Sequence, residues 1–471
     1  MTSFSTYRAP IIVAMITLAF GFAPRVEAQT LTTLANFRVA TGSNPPANFV
    51  QGFDGNFYSV TINNGTNFGG TAFRINPAGQ LKIIYSFCGG GDCTGGGGPQ
   101  GSMIQALDGN FYGTLLGGGA NSVGTVYKLT PQGVLTTLHD FDVSDGSFPY
   151  AGLLEASDGN FYGTTLQGGA SGFGTVFKIT RAGVLTTLHS FAGVAEGCYP
   201  EGTLVEVSRG VFYGTTANCG AFSDGTIYKI TAAGSLSTLH SSEGSDIGQP
   251  YDGLTLGNDG NLYGTTVNGG AFAKGTVFKM TPAGSVTTLH SFDGSDGYQP
   301  WGSVVQANDG NLYGMTSQGG TGICNFNSLS GCGTIFEIAA EGTFSTVHDF
   351  VNTDGSFPNA GLIQGTDGNF YGTTWYGGTT GNGTAFSFST GLPASVATVP
   401  VIGKTGATVV ILGNSLTGTT SVSFNGTPAT FTVVSPTQIR TTVPAGATSG
   451  TVQVVTPTST LTSNPIFRVV N

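Results

Sequence analysis

Charge is scarce in this sequence of 471 residues: Asp, Glu, Lys and Arg together make up 8%, where an ordinary soluble domain carries roughly 25%. That scarcity excludes a fold built mainly from surface helices rich in Lys and Glu. Basic residues number 15 against 25 acidic ones, and they form no cluster. A surface that neutralises phosphates needs clustered Lys and Arg, so nucleic acid is excluded as a partner. Catalytic signatures are missing too, with no G-x-S-x-G elbow, no H-E-x-x-H and no P-loop. The string Ser157-Asp158-Gly159-Asn160 fails the S-x-D-x-G spacing of a sialidase Asp-box. No catalytic residue, metal ligand or cofactor is therefore assigned. Long apolar runs are also absent. The one notable run, Ile11 to Phe22, is too short to cross a bilayer, which takes about 20 residues.

That short run has a different reading. Arg8 precedes it and Val26-Glu27-Ala28 follows it, the order of a positive region, an apolar region and a small-residue cleavage site. Residues 1–28 read as a signal peptide. The mature chain is expected to begin at Gln29, exported and soluble, with no Cys at the cleavage site to take a lipid.

Glycine, by contrast, is abundant, at 78 residues, and it comes with repetition. DGNFYGTT (158–165) returns as DGNFYGTL, RGVFYGTT, DGNLYGTT and DGNLYGMT. Its Tyr stands at 58, 112, 162, 213, 263, 313 and 371, with spacings of 54, 50, 51, 50, 50 and 58 residues. Each copy holds four β-like runs divided by turn residues, which in the third are GLLEAS, NFYGTT, GTVFKIT and VLTTLHSF. Asp158-Gly159 predicts a two-residue type I′ hairpin between the first two. Gly183, or the Pro282/Gly284 turn of another copy, joins the last two. Four antiparallel strands with a period near 50 describe a kelch-like propeller blade. The seventh copy stops at GTAFSFST without its fourth strand, and TLTTLANF (30–37) supplies that strand at the other end. The reading is an all-β fold: a seven-bladed β-propeller over 29–391, closed by the N-terminal strand so that no sheet edge is left open. The recurring Tyr residues then pack between blades.

Turns of the DGN and PAG type share one face and are short and uniform. The opposite face carries connections that vary in length and sequence, where function tends to reside. All six cysteines fall on that variable face. Adjacency pairs Cys88 with Cys93, Cys198 with Cys219 and Cys324 with Cys332, and an exported chain favours disulfides over zinc. The five histidines, His139, His189, His240, His290 and His348, recur at one position of the outermost strand. Spread around a rim, they cannot converge on one ion and read as structural. Turns such as DFDVSDG and FDGSDG fit calcium loosely, and ordinary Asp-Gly turns account for them.

One position breaks the uniformity. Just before each inner strand a Pro is followed by Pro46, Gln100, Tyr150, Glu201, Tyr251, Trp301 or Asn359. These residues should face the channel mouth on the variable side, with Trp375 and Tyr376 in a neighbouring loop. Aromatic faces with amides and a carboxylate are the mixture of a small-molecule site, here for carbohydrate. The bland alternative is that the rings only plug the channel.

After Leu392-Pro393 the repeat ends. GATVVILGNSLTGTTSVSFNGTPATFTVVSPTQIRTTVPAGATSGTVQVVTP resembles the IPT/TIG family of immunoglobulin-like domains, which implies a small β-sandwich over 392–471 acting as spacer or interaction module. The motifs YGTT-x-x-GG and GTVFK-x-TPAG-x-x-TTLHSF resemble the GloVer tandem repeat of exported bacterial proteins across 30–390. Members of that family often end in surface anchors, whereas this sequence ends at Asn471 without a hydrophobic tail. The resulting expectation is a secreted or cell-surface binding or adhesion module, with carbohydrate or a surface protein as partner. A polysaccharide-active lyase or hydrolase at the channel mouth and a purely structural spacer are the alternatives.

Overall fold

A computed structural model of the protein describes residues 29–88, 93, 95–324 and 331–470; the expected signal peptide, 1–28, lies outside them. The described residues are almost wholly β, with one short 3-10 turn at Val39–Thr41. The repeats give seven four-stranded antiparallel sheets in a propeller-like arrangement. In the third repeat the strands are Leu154–Glu155, Phe161–Thr165, Thr175–Ile179 and Leu185–Ser190. The second and third are buried along their length, while the fourth alternates with solvent. That gradient matches the large apolar side chains Phe161, Tyr162, Val176, Phe177 and Ile179 on the second and third strands and the Thr and His of the fourth.

The inner strand is shorter than the GLLEAS run predicts. Its first residues leave their own ladder to bond the neighbouring sheet: Thr114 Oγ1 donates to the Ala151 carbonyl at 2.8 Å. The DGN hairpin also differs from the two-residue type I′ turn expected. Ala156 N bonds Asn160 O (2.9 Å) and Gly159 N bonds Ala156 O (2.8 Å), leaving a three-residue loop. Gly159 alone has positive φ, at 79°, which is the arrangement of a type I turn with a left-handed third residue. Asp158 stays in the ordinary region because its carboxylate closes the turn. It accepts from Asn160 N (3.0 Å), Asn160 Nδ2 (2.8 Å) and the Tyr162 hydroxyl (2.9 Å). The repeated motif is thus a carboxylate that caps its turn and anchors its tyrosine.

These bonds set the pH response. Asp158 and Lys178 pair at 3.1 Å, and despite partial burial the donors hold the Asp158 carboxyl below the usual carboxylate range. The stability it contributes is present above the unfolded-state value and lost as pH falls through the lower folded one. Asp158→Ala, which strands a half-buried Tyr hydroxyl and two Asn donors, is expected to cost about 2 kcal/mol. Thermal unfolding at pH 7 measures this, and the deficit should shrink toward pH 2.

Each Tyr also meets the next sheet. Tyr112 packs on Phe161 and Tyr162 on Phe212, with ring centroids 4.3 and 4.2 Å apart. In the fourth repeat Arg209 replaces the Asp, and the Tyr213 hydroxyl donates instead to the Pro282 carbonyl at 3.1 Å. Tyr371 of the last repeat stacks on Phe57 of the first, with ring centroids 3.7 Å apart. The strand Thr30–Asn36 pairs antiparallel with Thr384–Ser389, from Thr30 opposite Ser389 to Asn36 opposite Thr384.

Disulfides join Cys88 to Cys93, Cys198 to Cys219 and Cys324 to Cys332. They span 5, 21 and 8 residues, so each closes a local segment, the second enclosing the strands Val205–Ser208 and Val211–Thr216. Peptide mapping of unreduced protein should recover these three linkages. Reduction should raise proteolytic cutting in those loops more than it lowers the melting temperature.

Beyond the repeats, residues 397–470 form two four-stranded sheets and a parallel pair. They share a core that includes Val409, Ile411, Val422, Phe424, Ile439 and Val452. This unit sits on the DGN turns. Thr437 Oγ1 donates to the Phe53 carbonyl (2.8 Å), Asn464 Nδ2 to the Gln306 carbonyl (2.7 Å) and Arg468 Nη2 to the Gly257 carbonyl (2.6 Å). Phe53 and Leu107 pack against Val410, Leu412 and Val399. Turns of the first, second, fifth and sixth repeats are therefore in contact with this unit, a docking that the sequence did not announce.

Candidate functional site

Each inner segment enters through a strained residue and a proline. The residues before the seven prolines all have positive φ: Asn44 56°, Gly98 64°, Phe148 55°, Tyr199 59°, Gln249 56°, Gln299 55° and Phe357 55°. Six are not glycine, and a left-handed turn costs such residues on the order of 1 kcal/mol or more each. The proline fixes φ for the next step. It also fills a space kept open by glycine in the preceding repeat: a Cβ on Gly174 would lie 2.7 Å from Pro200 Cδ. The residue after the proline is thereby aimed at the axis.

Those residues meet. Pro46, Gln100, Tyr150, Glu201, Tyr251, Trp301 and Asn359 line one cavity of about 470 Å³, together with Trp375. The volume lies within the range of small-ligand sites, roughly 300–1,000 Å³. Tyr376, expected beside Trp375, does not line it. The backbone at Tyr376 pairs with Ser356, so successive side chains diverge, and its ring packs edge-on against Phe357 at 5.8 Å. Asn48, Asp252 and Ser303 join the lining. Asp252 had a legible signal in the string PYDG, an acid where the other copies have Ala or Gly.

Polar order within the cavity is specific. Gln100 Nε2 donates to the Tyr150 hydroxyl at 2.7 Å, while its Oε1 is closed to solvent without a partner. Tyr251 and Trp301 lie 4.7 Å apart, tilted by 51°. Asp252 accepts from Gly253 N (2.7 Å) and Ser303 N (2.6 Å), which ties two adjacent repeats together. Burial nevertheless pushes the Asp252 carboxyl up. Glu201 accepts no hydrogen bond and pairs with no cation among the described residues, and burial raises it from 4.5 to about 7. Burial and the nearby Glu201 charge raise the Tyr150 hydroxyl to about 12.

The sign of the Glu201 contribution follows. Between its ordinary value and about 7, the folded state holds a proton that the unfolded state has released. Stability therefore falls as pH rises through that window and levels off above it. With the cavity open to water, the loss is on the order of 2 kcal/mol. Glu201→Gln should abolish this slope and melt higher than the parent at pH 8, as read by thermal denaturation from pH 4.5 to 8.

Outside the cavity, the histidines and the Asp-rich turns explain each other. His139 bonds Asp145 (2.7 Å), His189 Glu196 (3.1 Å), His290 Asp296 (2.7 Å) and His348 Asp354 (3.2 Å), while His240 Nε2 lies 2.9 Å from Asp246 without hydrogen-bond geometry. Asp142 Oδ1 in turn accepts from Ser144 N at 2.8 Å. Among the described residues no group of three or more His, Cys, Asp or Glu is placed to hold a metal ion. The sequence showed both partners, separated by six or seven residues, without showing that they pair.

Fold and site together define an all-β, propeller-like repeat protein with a loop-side cavity. The Gloeobacter/Verrucomicrobia repeat model matches residues 18–218 and 200–431, and the chain belongs to that family. No curated protein matches it. Among solved structures it is similar to a provisionally assigned 6-phosphogluconolactonase from Bacteroides uniformis, at 16% identity over 69% of this chain and 96% of that one, TM-score 0.43. A provisionally assigned gluconolactonase aligns at 12% identity over 78% and 93%, TM-score 0.42. An auxiliary nutrient-binding protein from Bacteroides ovatus aligns at 12% over 77% and 76%, TM-score 0.41. No helix of the described residues is long and apolar enough to cross a membrane.

Proposed function

We propose that this protein is an exported carbohydrate-binding module, which takes its ligand in the cavity of the variable face. In this reading residues 29–391 are a closed seven-bladed propeller with kelch-like blades, 392–471 an IPT/TIG-like sandwich, and 1–28 a cleaved signal. The pairing of Thr30–Asn36 with the last sheet and the Phe57–Tyr371 stack support closure. Three disulfides support an oxidising location outside the cytoplasm. Residues 397–470 dock on turns of the opposite face, and the variable-face cavity is left open.

The observation that carries the reading is convergence. Residues at one repeat position, 50 or more residues apart in sequence, differ from copy to copy and yet line one cavity. Five of them, three aromatic and two amide, are side chains of the kind that stack on sugar rings and bind hydroxyls. Binding is favoured over hydrolysis because the second carboxylate, Asp252, is already engaged by two backbone donors; paired-carboxylate hydrolysis needs two reactive groups. The test is a glycan and cell-wall polymer array probed with mature protein, followed by product analysis of every hit. Bound but unaltered saccharide is the expected result. Shortened or unsaturated products would establish the enzyme, and retention of surface proteins alone would move the ligand class to protein.

A further inference from the structure

The cavity holds acceptors and π-faces but no positive charge. Glu201 and Asp252 are in its lining, and no Lys, Arg or His is. Glu201 has no cation or hydrogen-bond donor among the described residues, and its half-buried carboxyl group opens on the cavity. Around it stand Tyr150, Tyr251, Trp301 and Trp375, whose electron-rich faces attract cations. The protein as a whole carries a net charge of −10, which draws cationic solutes toward it.

Resting on the carbohydrate reading above, we infer that the cavity selects a saccharide bearing a free amino group, with the ammonium set against Glu201 and the aromatic faces. A neutral hydroxyl would meet the acceptors alone. An ammonium meets the acceptors, the carboxylate and the π-faces together. The Tyr251–Trp301 pair, tilted by 51°, offers aromatic faces against which the sugar ring itself packs. Burial of Glu201 is consistent with this: without a cation it is reluctant to ionise, and an arriving ammonium removes that reluctance by releasing a proton. Tyr150, Tyr251 and Asp252 are the titratable groups facing it. None supplies positive charge.

The experiment is calorimetric titration of the mature protein at neutral pH with three probes: a glucosamine trimer, an N-acetylglucosamine trimer and tetramethylammonium. The glucosamine trimer should bind at least about tenfold tighter than its acetylated counterpart, the scale of one charge pair with a cation–π contact. In Glu201→Gln the ratio of the two affinities should fall to about twofold. The wild-type comparison stands even if that variant fails to fold. Equal or tighter binding of the acetylated trimer overturns this inference and leaves the carbohydrate reading intact. Tetramethylammonium binding as tightly as the glucosamine trimer overturns the saccharide part of it. If none of the three binds, the inference fails, and the glycan array decides the carbohydrate reading separately.

Discussion

Deletion of Thr30–Asn36 is expected to leave a protein that aggregates or loses most of its thermal stability. The strand forms the whole outer edge of the last sheet, paired from Thr30/Ser389 to Asn36/Thr384. Its removal bares the backbone donors and acceptors of Thr384–Ser389, an open edge that templates association. It also uncovers the cluster in which Leu34 and Ala35 pack beside Phe37, Phe49, Phe57, Phe73 and Tyr371. Several side chains losing about 2–4 kcal/mol of burial each would exceed the 5–15 kcal/mol that holds a typical domain together. Phe37→Ala is a milder form, with an expected cost of about 3–5 kcal/mol for a fully buried ring. Differential scanning calorimetry and light scattering separate the two. A deletion variant that stays monomeric and melts with the parent would mean that the repeats do not depend on this strand.

The second large effect lies in the cavity. Trp301→Ala/Tyr251→Ala should reduce affinity for any saccharide found on the array by about 100-fold, equivalent to about 2.7 kcal/mol. Both rings line the cavity and touch each other, so the two losses are coupled rather than additive. Each is only partly buried, and the circular dichroism spectrum and melting temperature should stay near those of the parent. Full affinity in a folded double variant would place the ligand elsewhere, on the outer loops or the C-terminal sheets.

Much of this molecule was legible because repetition turns one observation into seven. The Tyr spacing, the missing fourth strand after GTAFSFST and the proline-led ring all depend on residue identity at equivalent positions. What escaped was carried by backbone atoms or by conformation. The C-terminal unit holds the repeats through carbonyls of Phe53, Gln306 and Gly257, groups that any sequence offers. Asp158-Gly159 reads as a type I′ pair until the carboxylate is seen to cap Asn160 and keep Asp158 out of the left-handed region. Tyr376 sits next to Trp375 in sequence, but successive side chains of an extended segment point apart. Glu201 stood out by type; its lack of a partner is a property of the cavity, and no single stretch of chain displays it.

The two tryptophans of the chain, Trp301 and Trp375, both line the cavity, so emission excited selectively at tryptophan reports on the proposed site. The most direct test of ligand binding there is a fluorescence titration with each saccharide that the array retains, set beside calorimetry of the same pair. The account predicts a saturable change in emission whose midpoint matches the calorimetric affinity. A saccharide that binds by calorimetry while leaving the emission of both tryptophans unchanged would contradict it.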